Sequence, residues 1–169
     1  MTKLKLMGKN HSDELYTPEE AIKILLPYIN KEWTIWECAW GKGDLANYLK
    51  KSGFKVIGNK DYDFLGDRFQ NNIGNCIITN PPYSIKDKFL KRCYDLGLPF
   101  ALLMPITALE GIKRQELYKK YGIQILFPKR RIDFNGKKAP WFYTAWFCWG
   151  LNLPKDLMFV EEQSSGDKK

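Results

Sequence analysis

The chain has 169 residues, of which 44% are hydrophobic and 15% aromatic. This length predicts one domain, and the apolar content excludes a chain that is disordered throughout. The formal net charge of +8 favours an anionic partner, such as a nucleic acid or a phosphate-bearing ligand, over a purely solubilising role.

The sequence predicts a cytoplasmic protein without a membrane span. It has no run of about 18 apolar residues, and its first residues contain no apolar stretch of signal-peptide length. The four cysteines form no C-x-x-C pair and His11 is the single histidine. We therefore predict buried thiols in a reducing compartment and no metal site. Polar, aperiodic residues at 1–14 and 161–169 indicate flexible tails around one domain at 15–160.

Helical and strand patterns alternate along that domain. Thr17, Pro18 and Glu20 form a capping box, which predicts a helix that begins with Thr17 as its N-cap. The pattern predicts helices at 17–26, 44–51, 85–96 and 109–121, and strands at 34–38, 55–58, 76–79, 100–104, 123–127 and 141–149.

Strands separated by helices indicate an α/β fold, with a mostly parallel sheet and helices on both faces. The last two strands have no helix between them, so we expect an antiparallel C-terminal hairpin at the sheet edge. One arm of that hairpin is expected to start near Ile132.

A glycine turn follows the first predicted strand. Gly41 and Gly43 let the backbone pass close to a ligand at the carboxyl end of that strand, where open α/β sheets bind nucleotides. The carboxylate of Glu37 can hold a ligand's ammonium group. A tight turn without a ligand explains the same glycines equally well. Trp40 either packs locally or crowds a ligand at this turn.

Two acidic residues follow the second predicted strand. An acid at this point of an α/β sheet can accept hydrogen bonds from both hydroxyls of a ribose. Asp61 is the nearest candidate and Asp63 the next, and a solvated turn aspartate is the alternative for each. Asp63 and Phe64 together can also hold an adenine: Asp63 would accept a hydrogen bond from the adenine's amino group, and Phe64 would stack on its ring.

The strongest motif is Asn80-Pro81-Pro82-Tyr83, at the end of a buried strand. The two prolines fix the backbone and remove two N–H donors. Such a turn can direct the Asn80 side-chain oxygen and the Pro81 carbonyl at one NH2 group, while Tyr83 stacks on the ring that carries it.

This turn resembles motif IV of the S-adenosylmethionine-dependent amino methyltransferases. The segment from Glu37 to Gly43 resembles their motif I, and Tyr16-Thr17-Pro18 resembles their motif X. The short basic chain looks most like the small phage-type DNA N6-adenine methyltransferases. Trp40 departs from the pattern, because motif I usually has a small residue there.

The resemblance implies a Rossmann-like class I methyltransferase fold, with S-adenosyl-L-methionine as cofactor and S-adenosyl-L-homocysteine as product. It also implies in-line attack on the sulfonium methyl by the N6 amino nitrogen of an adenine flipped out of DNA. It assigns Asn80, Pro81, Pro82 and Tyr83 to the catalytic turn. It assigns the cofactor to Tyr16, Thr17, Pro18, Glu37, Cys38, Ala39, Gly41, Gly43, Asp61, Asp63, Phe64 and Asn80.

A basic segment at 129–138 follows the strand predicted at 123–127 and corresponds in position to motif VIII. The resemblance makes Phe134 the candidate that helps Tyr83 to hold the flipped base. Phosphate contacts are expected from Arg130, Arg131, Lys137 and Lys138. A solvated charged hairpin is the alternative. We expect the aromatic residues of 141–149, among them Phe142, to pack in the core rather than contact a base.

Three classes of function remain open from the sequence. DNA adenine methylation is favoured, RNA or protein glutamine methylation is the second, and an inactive nucleic-acid or partner-binding module is the third. Because the motifs occupy about residues 15–150, target recognition is expected from the 129–138 segment, a partner subunit or a second copy of the chain in a homodimer. No membrane partner is expected.

Overall fold

The computed structural model describes residues 16–66, 73–136 and 142–160. Both predicted tails, and Lys137, Lys138 and Trp141, lie outside these residues. The described residues form seven strands: β1 Thr34–Trp36, β2 Lys55–Ile57, β3 Cys76–Thr79, β4 Phe100–Pro105, β5 Gln124–Phe127, β6 Thr144–Trp149 and β7 Leu157–Phe159. They build one sheet in the order β2-β1-β3-β4-β6-β5-β7.

The sheet has the predicted fold class. β1 pairs in parallel with β2 and β3, and β3 pairs in parallel with β4. β6 is antiparallel to both β4 and β5, while β5 and β7 are parallel. This is a Rossmann-like α/β sheet with antiparallel pairing among its C-terminal strands.

The predicted position of the antiparallel strand is wrong. β6 lies inside the sheet rather than at its edge, because it pairs with β4 on one side and with β5 on the other. Five of its six residues are buried. Its hairpin partner is β5, not a strand near Ile132, which is a buried loop residue. The outer edge is β7, a short strand that the sequence did not predict.

Four α-helices accompany the described strands: α1 Glu19–Lys23, α2 Asp44–Lys51, α3 Lys86–Leu96 and α4 Ile112–Tyr121. α1 is shorter than predicted. It begins after Pro18 without a side-chain cap, and Pro27 lies in a separate 3-10 turn, Leu26–Tyr28. The ring of Pro27 would clash with the carbonyl four residues earlier, at Lys23, which explains why α1 ends there and does not continue to residue 26 as predicted. No helix within the described segments is long and apolar enough to cross a membrane.

The sheet separates two apolar cores, because successive side chains of a strand point to opposite faces. On one face, α1 and α2 pack over Ile35, Ile78 and Trp146. On the other, α3 packs over Trp36, Ile77 and Phe147. The helices therefore cover both faces and leave the carboxyl edge of the parallel strands open for a site.

Candidate cofactor and acceptor site

A cavity of about 410 Å³ lies where β1, β2 and β3 end. Many of the predicted site residues line it: Tyr16, Thr17, Glu37, Cys38, Ala39, Gly41, Asp63, Phe64, Asn80, Pro82 and Phe134. Seven others are described but do not line it: Pro18, Gly43, Asp61, Pro81, Tyr83, Arg130 and Arg131. The sequence did not single out Lys60 and Tyr62, which also line the cavity.

The glycine turn after β1 brings the backbone to the cavity. Gly43 has a φ of 84° and starts α2, and its N–H bonds to the Trp40 carbonyl over 2.8 Å. A Cβ on Gly43 would lie 2.9 Å from Trp40 Nε1, and one on Gly58 would lie 3.0 Å from Trp40 Cε3. Trp40 therefore packs against both glycines while it also lines the cavity.

Glu37 is a carboxylate held in an apolar setting, with only 1% of its surface exposed. Its Oε1 accepts hydrogen bonds from the Thr79 hydroxyl and from the Ala39 N–H, the latter over 2.9 Å. Burial raises the pKa of Glu37 to about 8, although both hydrogen bonds act to lower it. At neutral pH the free side chain is thus mostly protonated, and a cationic ligand group would favour its ionised form.

The structure separates the two acids that follow β2. Asp61 is exposed and outside the cavity, and its own N–H is bonded to Asn59 Oδ1. Asp63 lines the cavity, and its Oδ1 accepts from the Leu65 N–H over 3.0 Å. Asp63 is therefore the better placed of the two for a ligand in the cavity.

Phe64 lines the cavity but offers little free ring surface. It is 2% exposed, and its ring packs against Trp36 at 5.3 Å and Phe89 at 4.8 Å between centroids. Phe64 is therefore almost fully enclosed by its neighbours and presents no open ring face to the cavity.

Asn80 connects the cavity to the segment before α1. Its Nδ2 donates to the Thr17 hydroxyl over 3.1 Å. This bond overturns the predicted capping role of Thr17, which is 5% exposed and faces β3 instead of the helix N-terminus. Asn80 Oδ1 is buried and has no hydrogen-bond partner among the described residues.

An aromatic cluster stands beside this turn. Tyr83 meets Phe142 edge to face at 5.8 Å, and Phe142 stacks on Phe134 at 6.3 Å with 24° between the planes. Phe134 is 7% exposed, whereas Phe142 is 37% exposed. The expectation that Phe142 packs in the core is therefore wrong, and Phe142 is the more accessible partner of Tyr83. Its nearness to Tyr83 carries no local sequence signal.

The cysteines are buried, one of them at the cavity, whereas the described arginines of the basic segment are exposed and do not line it. All four cysteines are buried and free, and burial raises the pKa of Cys38, on the cavity, well above its ordinary value. Arg130 and Arg131 are exposed on the loop between β5 and β6. The phosphate contacts expected from Lys137 and Lys138 concern residues outside those described.

The sheet order, the covered faces and a cavity at the carboxyl edge define the Rossmann-like fold that methyltransferases share. No family model and no curated protein matches the chain. Its fold is similar to that of a type I restriction-modification methyltransferase subunit from Streptococcus thermophilus. There the TM-score is 0.61 and the identity 16%, over 87% of this chain and 47% of that one.

Two further solved structures share the fold. One, from Pyrococcus horikoshii, is described as a predicted RNA methyltransferase, with a TM-score of 0.54 and 16% identity over 85% of this chain and 91% of that one. The other is the modification subunit of a predicted type I restriction enzyme from Vibrio vulnificus. Its TM-score is 0.51 and its identity 12%, over 80% of this chain and 44% of that one. This chain thus spans about half the length of each type I subunit.

Proposed function

We propose that this chain transfers a methyl group from S-adenosylmethionine to the N6 amino group of adenine in DNA. The observation that carries the proposal is the buried Asn80 Oδ1, an acceptor on the cavity wall without a partner among the described residues. A buried acceptor destabilises a protein unless a donor pairs with it, and an amino group is such a donor. The fold shared with methyltransferases supports the type of reaction.

The cavity fits the proposed cofactor in size and chemistry. Its volume of about 410 Å³ suits a nucleoside-sized ligand. Glu37 would bind the ammonium group, Asp63 the ribose hydroxyls, and Tyr16 and Thr17 the methionine part. When bound, S-adenosylmethionine supplies an electrophilic methyl group on a sulfonium centre.

Asn80 and Pro81 would prepare the acceptor nitrogen. Hydrogen bonds from the amino group to Asn80 Oδ1 and the Pro81 carbonyl would reduce delocalisation of the nitrogen lone pair into the ring. The same oxygens would stabilise the positive charge that develops on the nitrogen. The charge would be lost when the methylated nitrogen releases a proton to water. Preorganisation matters here, because the proline-fixed turn does not need to reorganise during the reaction.

Tyr83 and the loop between β5 and β6 also suit the binding of an extruded base. Tyr83, steadied by Phe142, would stack on the adenine, and aromatic stacking contributes roughly 1–3 kcal/mol per base. Arg130 and Arg131 would contact the phosphates. This arrangement favours a nucleic acid over a protein glutamine, because a protein acceptor does not require exposed arginines on the loop that also carries Phe134 to the cavity.

RNA is a second candidate acceptor. The observation that favours it is the likeness to the Pyrococcus horikoshii structure, of which this chain covers 91%. The proposed chemistry at Asn80 would be the same, because both nucleic acids carry the adenine amino group.

Target recognition is proposed to involve a further subunit or a second copy of this chain. The two type I modification subunits that share the fold are about twice as long as the matched region. A partner of this kind would supply sequence choice, while this chain would supply the cofactor cavity and the acceptor turn.

The test is methylation of defined DNA, RNA and protein acceptors with methyl-labelled cofactor, followed by nucleoside analysis. We expect N6-methyladenine in DNA. Asn80→Ala should abolish transfer and change the cofactor Kd less than about fivefold, since one neutral hydrogen bond contributes about 1 kcal/mol or less to binding. Asn30→Ala is the control, because Asn30 lies in an exposed turn away from the cavity. Absence of cofactor binding by calorimetry would refute the proposal.

A further inference from the structure

Asparagine and aspartate side chains in this protein repeatedly bond to their own chain. In four described turns, the side-chain oxygen accepts from the backbone N–H two residues further on, over 2.9 to 3.1 Å. This is the usual local way for such a side chain to satisfy its oxygen. The four pairs are Asn30 with Glu32, Asn59 with Asp61, Asp63 with Leu65, and Asp133 with Asn135.

Asn80 cannot form this type of turn. The residue two positions on is Pro82, which has no N–H, and Pro81 between them has none either. Asn80 Oδ1 is correspondingly buried and without a hydrogen-bond partner among the described residues. The next residues do form a backbone hydrogen bond: the Ile85 N–H donates to the Pro82 carbonyl over 3.1 Å.

The other end of the same amide is occupied. Asn80 Nδ2 donates to the Thr17 hydroxyl, and Thr17 is 5% exposed. An asparagine amide has one oxygen end and one nitrogen end, and in this structure the nitrogen end bonds to Thr17. Thr17 thereby leaves the oxygen as the end of the amide that still lacks a partner.

We propose that Pro82 and Thr17 are positioning residues for Asn80. Because Pro82 has no backbone N–H, position 82 offers no donor to Asn80 Oδ1. Thr17 accepts a hydrogen bond from the amide nitrogen. Together they keep the oxygen available to an N–H donor on the ligand. This inference rests on the proposed methyl transfer for its kinetic consequence, but its structural content can be tested without any acceptor.

The structural test compares backbone chemistry at position 82. Pro82→Ala supplies the missing N–H. Pro82→N-methylalanine lacks both the ring and the N–H, and it keeps the Pro81 carbonyl as an amide carbonyl. In ¹⁵N-labelled Pro82→Ala protein, we expect the new N–H to be protected from exchange and coupled across a hydrogen bond to Asn80. A freely exchanging N–H at this position overturns the inference.

Pro81→Ala is the geometric control for that measurement. It also adds an N–H, but one residue closer to Asn80, where it lacks the two-residue spacing of the four observed turns. We expect no hydrogen bond from this N–H to Asn80 Oδ1. If Pro81→Ala forms the bond as readily as Pro82→Ala, position 82 has no special role and the inference fails.

The kinetic test uses saturating cofactor and acceptor. Pro82→Ala should lower kcat about tenfold, the effect of one occupied hydrogen-bonding group, and Pro82→N-methylalanine should show little of that loss. Equal loss in both variants would show that the proline ring, not the absent N–H, is what matters. Far-ultraviolet circular dichroism checks that each variant is folded.

Thr17 provides an independent variant should the turn tolerate no change. Thr17→Val removes the acceptor for Asn80 Nδ2 with little change of shape, and Thr17→Ser retains it. We expect Thr17→Val to lower kcat about tenfold and Thr17→Ser to recover it. In Thr17→Val, the two Asn80 side-chain N–H signals should also shift by NMR. Unshifted signals would overturn the role of Thr17, even if the protein proved to have no transferase activity.

Discussion

The rings of Tyr83 and Phe142 meet edge to face, with their centroids 5.8 Å apart and their planes at 76°. Phe142 also stacks on the buried Phe134, so it connects the turn at residues 80–83 to the core. An exposed aromatic ring that supports Tyr83 in this way restricts the positions that the tyrosine ring can take.

Phe142→Ala should therefore weaken binding of the nucleic-acid acceptor. We expect KM for DNA to rise about tenfold, within the roughly 1–3 kcal/mol that base stacking contributes, while the cofactor Kd stays unchanged. Steady-state kinetics and calorimetry measure the two quantities. Ile112→Ala is the control, because Ile112 is also apolar and is 78% exposed. An unchanged KM for Phe142→Ala would contradict a role in holding the base.

Glu37→Gln should make stability less dependent on pH. The pKa of Glu37 is about 8 in the folded chain against an ordinary 4.5. Between these values the folded state holds a proton that the unfolded state has lost. The free energy of unfolding thus falls as pH rises from about 4.5 to 8, by at most about 1.4 kcal/mol per pH unit.

Urea denaturation at several pH values tests this expectation. Glutamine keeps an oxygen that can accept from Thr79 and Ala39, so the variant should gain stability over the wild type as pH rises towards 8. Below pH 4.5 the two proteins should be nearly equal. A difference that stays constant with pH would show that Glu37 does not titrate in this way.

Binding of an ammonium-bearing cofactor should release a proton from Glu37 near pH 7. The free carboxyl is mostly protonated there, since its pKa is about 8, and a cation beside it favours the ionised form. Calorimetry in buffers of different ionisation enthalpy measures the released proton. The release should disappear in Glu37→Gln, which should also bind the cofactor more weakly. Identical proton release in the variant would place the titrating group elsewhere.

Two ion pairs of similar length should differ in their contribution to stability. Arg114 Nη1 lies 2.7 Å from Asp87 Oδ1, its side chain is 16% exposed, and its Nε bonds to the Ala108 carbonyl. Lys91 lies 2.6 Å from Asp95, but the side chains are 65% and 49% exposed. Water screens the second pair more strongly.

Arg114→Ala should therefore lower the free energy of unfolding by about 1–2 kcal/mol. Lys91→Ala should lower it by less than about 0.5 kcal/mol. Chemical denaturation with both variants in parallel gives the comparison. Equal losses would mean that the bond to Ala108 and the lower exposure of Arg114 contribute nothing.

Arg130→Ala should reduce the salt dependence of DNA binding. Each lost phosphate contact lowers the slope of log K against log salt by about 0.9. Lys155→Ala is the control, because Lys155 is exposed just before β7, at the sheet end opposite the cavity. Titrations at four salt concentrations should show a change for Arg130 alone. An unchanged slope would locate the phosphate contacts elsewhere.

Local sequence patterns determined much of the fold. The apolar run at 76–79 and the glycine-bounded pattern at 44–51 correspond residue for residue to β3 and α2. Both are set by interactions between neighbours, such as an apolar run that needs burial or a glycine that ends a helix. Glu37 and Asn80 could be anticipated as site residues for a related reason, since each directly follows a strand of the parallel sheet.

Tertiary structure decided the features that depend on distant partners. Thr17 has the sequence of a helix cap, yet its hydroxyl bonds to Asn80, 63 residues away. β6 lies inside the sheet because it pairs with β4 and with β5, which are distant from each other in sequence. Asp63, and not Asp61, lines the cavity, which other strands help to form. Propensity and spacing describe a few residues around each position, whereas these outcomes depend on which surfaces meet once the chain has folded.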